Sequence, residues 1–356
     1  MLKFYVPNGW RSEMLSHIPL LYPFWGVIQK DSALFNKNKE SIQFDKSYYS
    51  ITENLRDADL LLIPHNYWNL KKNSPQLLTR ILNDLKGFNK PVLVDAYGDT
   101  MDEVDIPNSI VLRFAQYRDR LKENDIIVPA YIEDLGQSYG AEPIEYSPIP
   151  SVGFVGWATL PFWKHIKTYI KEIPIYLLTK IFKKTGIYRK GVFLRGEIIK
   201  ILKNSNKIKS NFIIRESFSG HKDTVSADPA KLREEFIENI INSNYSLCLK
   251  GDANQSTRFY EVLSLGRIPF YVDTDTVLPL EDKIDYKNFC VFIDYKDIRQ
   301  APDKLYKINK ILDPKKYLKM QGMARDAYNK YLRIDSFTKY LMDEIKEKFV
   351  RNAKKH

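Results

Sequence analysis

A chain of 356 residues with 44% hydrophobic and 13% aromatic content can bury a sizeable core, and this excludes a disordered, fibrous or low-complexity protein. Its length suggests about two domains, and its formal charge of +11 points to anionic partners rather than cationic ones. The only two cysteines, Cys248 and Cys290, lie in apolar strand-like segments and read as buried inert thiols, with no disulfide framework or zinc motif.

From the N-terminus, Met1-Leu2-Lys3-Phe4-Tyr5-Val6-Pro7 has no apolar core of a secretory signal. No apolar run approaches the roughly 20 residues needed to span a bilayer, so the expected compartment is the cytoplasm. Lys3 to Val6, Leu60 to Ile63, Pro91 to Val94, Ile110 to Leu112 and Ile126 to Val128 read as short buried strands. Between two of them the spacing predicts a helix that Ser74 can cap and Pro75 can open. Its apolar face is Leu77, Leu78, Ile81, Leu82 and Leu85, and Gly87 can end it. Strands alternating with helices imply an α/β fold with parallel sheets, which bind ligands beyond the carboxyl ends of their strands. Those exits carry His65, Asp95 and Arg113.

Glu142 to Pro150 holds three closely spaced prolines, which discourage a helix or a central strand, and it reads as a linker between two halves. An edge strand or an extended loop within one domain is the alternative. Ser151 to Gly156 then begins a second run of strands, continued by Asn211 to Arg215, Tyr245 to Leu249, Ile268 to Val272 and Phe289 to Ile293. Asp228-Pro229, Asp313-Pro314 and Asp335-Ser336 are predicted helix starts.

The positive charge is concentrated. Between Phe162 and Ser210 stand eleven Lys and two Arg against two Glu, a surplus equal to that of the whole chain. Apolar residues interleave with the lysines. Three readings of 162–210 stay open: a solvated basic face, a surface for an anionic membrane or acceptor, and a nucleic-acid patch, the last without any recognised nucleic-acid module to accompany it.

The most informative stretch runs from Lys250 to Pro269 as strand, polar loop, short helix and strand. Ser256 suits a helix N-cap and Gly266 the position after the helix C-cap. Such an N-terminus presents free backbone N–H groups and a partial positive charge, which suits phosphate. Arg258 and Glu261, three residues apart, project from one face of that helix. An ordinary surface pair on an ordinary helix would look the same.

The residues Tyr245 to Gly251, Ser256-Thr257-Arg258-Phe259-Tyr260-Glu261, Gly266-Arg267-Ile268-Pro269, Asp273-Thr274-Asp275, Leu278-Pro279 and Ile284-Asp285-Tyr286 resemble, in order, the exostosin family of inverting glycosyltransferases. The resemblance covers about Arg215 to Asp294. It implies two Rossmann-like domains facing a cleft, the GT-B fold: an acceptor-side domain over 1–147, a nucleotide-sugar domain over 148–335, and a terminal helix over 336–356 that packs back on the first. It further implies that Arg258 and the N–H groups near Ser256 neutralise a donor diphosphate and that Glu261 accepts ribose hydroxyls. Arg215 and Lys250 are looser candidates for additional cations. Asp273-Thr274-Asp275 superficially matches a metal-binding Asp-x-Asp motif, but its position in the order implies a loop-capping or substrate-contact role, and no metal or other cofactor is expected.

Inversion needs a general base across the cleft, and Asp99, Asp95 and His65 are the candidates, with Asp99 first because it follows a strand in the turn-like Tyr97-Gly98-Asp99-Thr100. Each also has a structural reading: a helix cap, a loop tie and a satisfied histidine. The expected activity is metal-independent transfer from a nucleotide-sugar donor to an oligosaccharide or lipid-linked glycan in polysaccharide or surface-glycan synthesis. The alternatives are a non-catalytic glycan-binding or peripheral membrane scaffold of the same fold, a retaining glycosyltransferase, and a phosphotransferase.

Overall fold

The computed structural model describes residues 1–27, 43–140, 142–159, 162–181, 188–215 and 228–353. Phe182, Lys183 and Lys184 of the basic run, and the 216–227 part of the resemblance, lie outside the described residues.

In the first half, β1 (Leu2–Tyr5), α1 (Tyr22–Trp25), β2 (Tyr49–Thr52), β3 (Leu60–Leu62), α2 (Tyr67–Asn73), α3 (Pro75–Leu85), β4 (Val92–Asp95), β5 (Ser109–Arg113), β6 (Asp125–Ile127) and α4 (Leu135–Tyr139) follow in order. The strands form a parallel sheet in the order β2-β1-β3-β4-β5-β6. The residues of β3, β4 and β5 are all buried, as expected for central strands of a parallel sheet covered on both faces. α3 begins at Pro75 and ends at Leu85 as its pattern predicts, although the Ser74 side chain makes no capping bond.

The second half comprises β7 (Ser151–Trp157), α5 (Phe162–Ile181), α6 (Gly191–Lys203), β8 (Lys209–Arg215), α7 (Pro229–Ile241), β9 (Tyr245–Cys248), α8 (Thr257–Ser264), β10 (Ile268–Asp273), β11 (Val291–Asp294), α9 (Ala301–Ile311), α10 (Pro314–Ala327) and α11 (Ile334–Ala353). Its strands are again parallel, in the order β11-β10-β9-β7-β8. From β7 the chain moves to β8 on one side and then returns to β9 on the other. The gap between β7 and β9 is therefore the topological switch point, where an open parallel sheet leaves a crevice for ligands.

Three elements depart from the sequence pattern. β2 is an edge strand of four residues with too little apolar content to announce itself. β11 starts at Val291 because a single helical turn over Tyr286–Asn288 occupies the preceding residues, closed by Cys290 N donating to Tyr286 O at 2.9 Å. α11 starts at Ile334, one residue before Asp335, because a wide turn over Tyr328–Leu332 carries α10 into it.

The proline-rich segment is pinned to the second half by polar side chains. Gln321 both donates to and accepts from Ile144, at 2.8 and 3.0 Å, Asn309 donates to Ser147 O at 2.9 Å, and Arg267 donates to Glu142 O at 2.7 Å. α11 returns to the first half: it packs on β5, and Thr338 accepts from Asp45 N at 3.0 Å. One apolar cluster runs from Leu60 and Leu112 in the first half to Phe259, Val262 and Tyr271 in the second, so the halves share a core.

Candidate functional site

At the switch point the guanidinium of Arg258 spans the two strands, donating to Val155 O on β7 and, at 3.5 Å, to Leu247 O on β9. It lies 4.1 Å from the ring centre of Phe154 and 5.2 Å from that of Phe236. Its Nε is buried with no hydrogen-bond partner among the described residues. Gly156, with φ +152°, leaves room for it, since a Cβ there would stand 3.2 Å from an Arg258 nitrogen.

Two more cations stand at the same crevice. Arg195 of α6 donates from Nε to Gly191 O at 3.2 Å. Burial, then the like charge of Arg258, pulls its pKa down to about 10, while Asp252 acts in the opposite direction. Lys250, at the exit of β9, is buried and donates from Nζ to the Tyr117 hydroxyl of the first half at 2.9 Å. Burial pushes its pKa down to about 7. Arg258 is lowered too, mainly by burial. α6 reaches this place through Gly191, where any Cβ would lie 2.4 Å from Lys250 O and 2.3 Å from Gly251 O. Ser256 precedes α8, and its N–H donates to Gln255 Oε1 at 3.0 Å.

Three basic groups whose charged forms are all disfavoured by burial define a place that an anion would stabilise. Arg195 is the member that the sequence did not single out. It reads as one more cation in a basic surface segment, and only the close approach of α6 to the 250–251 loop reveals it.

The other expected donor residues are engaged within the protein. Glu261 is buried, and its Oε1 accepts from Arg233 at 2.7 Å, while Arg233 reaches Glu133 of the first half at 3.4 Å. Arg215, at the exit of β8, pairs with Glu235, and its Nε is buried with no hydrogen-bond partner among the described residues.

In Asp273-Thr274-Asp275, Asp273 accepts from Thr276 N at 3.0 Å. Thr274 donates to Asn254 Oδ1 at 2.6 Å, which ties the turn to the loop before α8. Asp275 takes a left-handed φ of 62° and lies 4.0 Å from Arg118, whose guanidinium is otherwise held by both oxygens of Glu281 at 2.8 Å. A cavity of about 550 Å³ opens beside this turn, lined among others by Arg118, Tyr271, Asp273, Tyr286 and Phe292. Lys250, Arg195 and Arg258 do not line it.

The three base candidates separate clearly. His65 is fully buried, with Nε2 accepting from Ser12 N and Nδ1 bonded to Ser16 O, both at 3.0 Å. Burial lowers its pKa, and both of its ring nitrogens are occupied within the protein. Asp95 is buried and accepts from Asn66 Nδ2 at 2.7 Å and from Tyr97 N at 3.1 Å. It ties the turn after β4 to the N-cap of α2, and burial raises its pKa to about 6. Asp99 is exposed. Desolvation by the surrounding protein, then the charge of Asp252, raises its pKa. Of the three, Asp99 feels the charge of the loop that carries Lys250.

Residues 181–308, which include Arg195, Lys250 and Arg258 but not β7 on the other side of the crevice, match the Exostosin GT47 domain. That match covers about a third of the chain. The chain is 27% identical over 101 residues to the Exostosin-1 homolog of Caenorhabditis elegans, covering 28% of this chain and 25% of that one. It is 39% identical over 71 residues to Exostosin-1 of Drosophila melanogaster, covering 20% and 9%. The chain thus matches a quarter or less of the length of these relatives. Among solved structures, TarM superposes with a TM-score of 0.38 at 12% identity over 73% of this chain and 50% of that one. An alpha1,3-fucosyltransferase superposes with a TM-score of 0.38 at 12% identity over 98% and 90%. The fold is described by the two sheets themselves: two parallel, Rossmann-like units that share a core.

Proposed function

We propose that this protein transfers a sugar from a nucleotide-sugar donor to a glycan acceptor with inversion. The observation that carries this is the convergence of Arg258, Arg195 and Lys250 on the β7–β9 strand switch, each held where its own charge is disfavoured. A diphosphate entering there would offset the cost of burying those charges, and as the bond to the sugar breaks, the same cations stabilise the leaving group.

In this reading Asp99 takes the acceptor hydroxyl proton. The acceptor oxygen then attacks the anomeric carbon as the carbon–oxygen bond to the diphosphate breaks, the electron pair leaves with the phosphate, and the configuration inverts. The raised pKa of Asp99 strengthens it as a base. The leaving group is assigned to the three cations rather than to a metal on Asp273-Thr274-Asp275. That choice is supported by the commitment of Asp273 to Thr276 and the proximity of Asp275 to Arg118. Glu261 would meet the ribose while Arg233 holds its other side.

A donor panel tests this by transfer assay and NMR of the product. Turnover with inverted anomeric configuration is expected. Retained configuration would contradict single displacement, and binding without turnover for every donor and acceptor would favour the scaffold.

A further inference from the structure

α5 is docked by one face and bare on another. Its Glu172 is buried and accepts from Lys190 N at 2.8 Å, directly before α6, and Tyr169 makes an edge contact with Phe193, ring centres 6.4 Å apart. Away from this seam Ile170, Ile173 and Leu177 recur at helical spacing, with Leu178 beside them. They are 57%, 38%, 53% and 46% exposed. Four large aliphatic side chains on one exposed helix face form a patch that a soluble surface seldom leaves open. Lys167 and Lys171 are exposed on the same helix. The surrounding 162–210 segment holds the chain's entire positive surplus.

We infer that α5 lies in the interface of an anionic lipid bilayer, its aliphatic residues entering the acyl boundary and its lysines meeting the headgroups. Among the described residues no helix is long and apolar enough to cross a membrane, which leaves the helix lying in the surface plane. The chemistry separates this occupant from its rivals. Nucleic acid rewards cations and base-stacking rings, and four aliphatic side chains gain nothing from phosphates. A second copy of the helix would bring lysines against lysines, whereas an anionic leaflet attracts each of them. Because Glu172 acts on Lys250 through its charge, the membrane-facing helix also stands next to the crevice. A membrane-held acceptor would thereby be presented to the same side of the protein. The surface itself does not depend on the reaction assigned above.

The test is co-sedimentation of the full chain with phosphatidylcholine vesicles with and without phosphatidylglycerol. Binding is expected only with phosphatidylglycerol and should weaken with salt. Ile170→Asp/Ile173→Asp/Leu177→Asp should reduce the partition coefficient by at least about tenfold, since each apolar side chain contributes more than that when fully buried. Lys167→Glu/Lys171→Glu should also reduce it. All five positions are exposed, and unchanged circular dichroism would verify the folds. Failure of the wild type to bind, or equal binding of the aspartate variant, overturns the inference. So does a dimer in sedimentation velocity that the aspartate variant abolishes, which would assign the face to a second copy.

Discussion

Lys250 Nζ donates a 2.9 Å hydrogen bond to the hydroxyl of Tyr117, so a buried basic group of the second half rests on a phenol of the first half. The bond joins the two halves at the crevice assigned to the donor, and it makes ligand binding sensitive to protons. Burial holds Lys250 near a pKa of about 7 in the free protein. A bound diphosphate would favour its charged form. At pH 8 nucleoside diphosphate binding should therefore take up close to one proton, measured by calorimetry in buffers of different ionisation enthalpy. Lys250→Met should abolish that uptake.

The same residue predicts a stability effect of definite sign. Its folded pKa lies below the unfolded value of about 10.4, so the cost of burying the charge is full below pH 7 and disappears as pH rises toward 10.4. Lys250→Met should accordingly be more stable than the wild type at pH 6 in urea unfolding, with the difference shrinking at alkaline pH.

Asp99→Asn should lower the transfer rate by about 10²- to 10⁴-fold while donor binding is kept. Asp252→Asn removes a charge that raises Asp99, so the acidic limb of the kcat/KM profile should move to lower pH. A profile that does not move would detach Asp99 from the reaction.

Asp95→Asn discriminates the tie from the base. Its folded pKa of about 6 exceeds the unfolded value, so stability contributed by its protonated form is present at low pH and lost as pH rises from about 4 to 6. The asparagine variant should lose this slope in thermal unfolding and keep its transfer activity.

The run of short apolar strands made both sheets legible, and Asp228-Pro229 and Asp313-Pro314 open α7 and α10 as read, each aspartate accepting a backbone N–H. Gly266 takes the left-handed φ of 62° expected just past a helix end. The cleft was less legible because its contacts join residues far apart in sequence. Arg258 is visible in its motif, but its bond to Val155 crosses 103 positions, and Lys250 meets Tyr117 across 133. Nothing local to Arg195 distinguishes a half-buried arginine from the lysines around it. His65 has the strand-exit position of a catalytic histidine, yet Ser12 and Ser16 occupy both of its nitrogens, a commitment that only the folded loop creates.

The central claim is that Arg258 and Arg195 together hold a donor diphosphate at the strand switch, and calorimetric titration of nucleoside diphosphates tests it most directly. The wild type should bind at least one of them. Arg258→Ala and Arg195→Ala should each weaken it by about 10- to 100-fold, the loss of hydrogen bonds to a charged group. Undiminished affinity in the double variant, with the fold intact, would contradict the account.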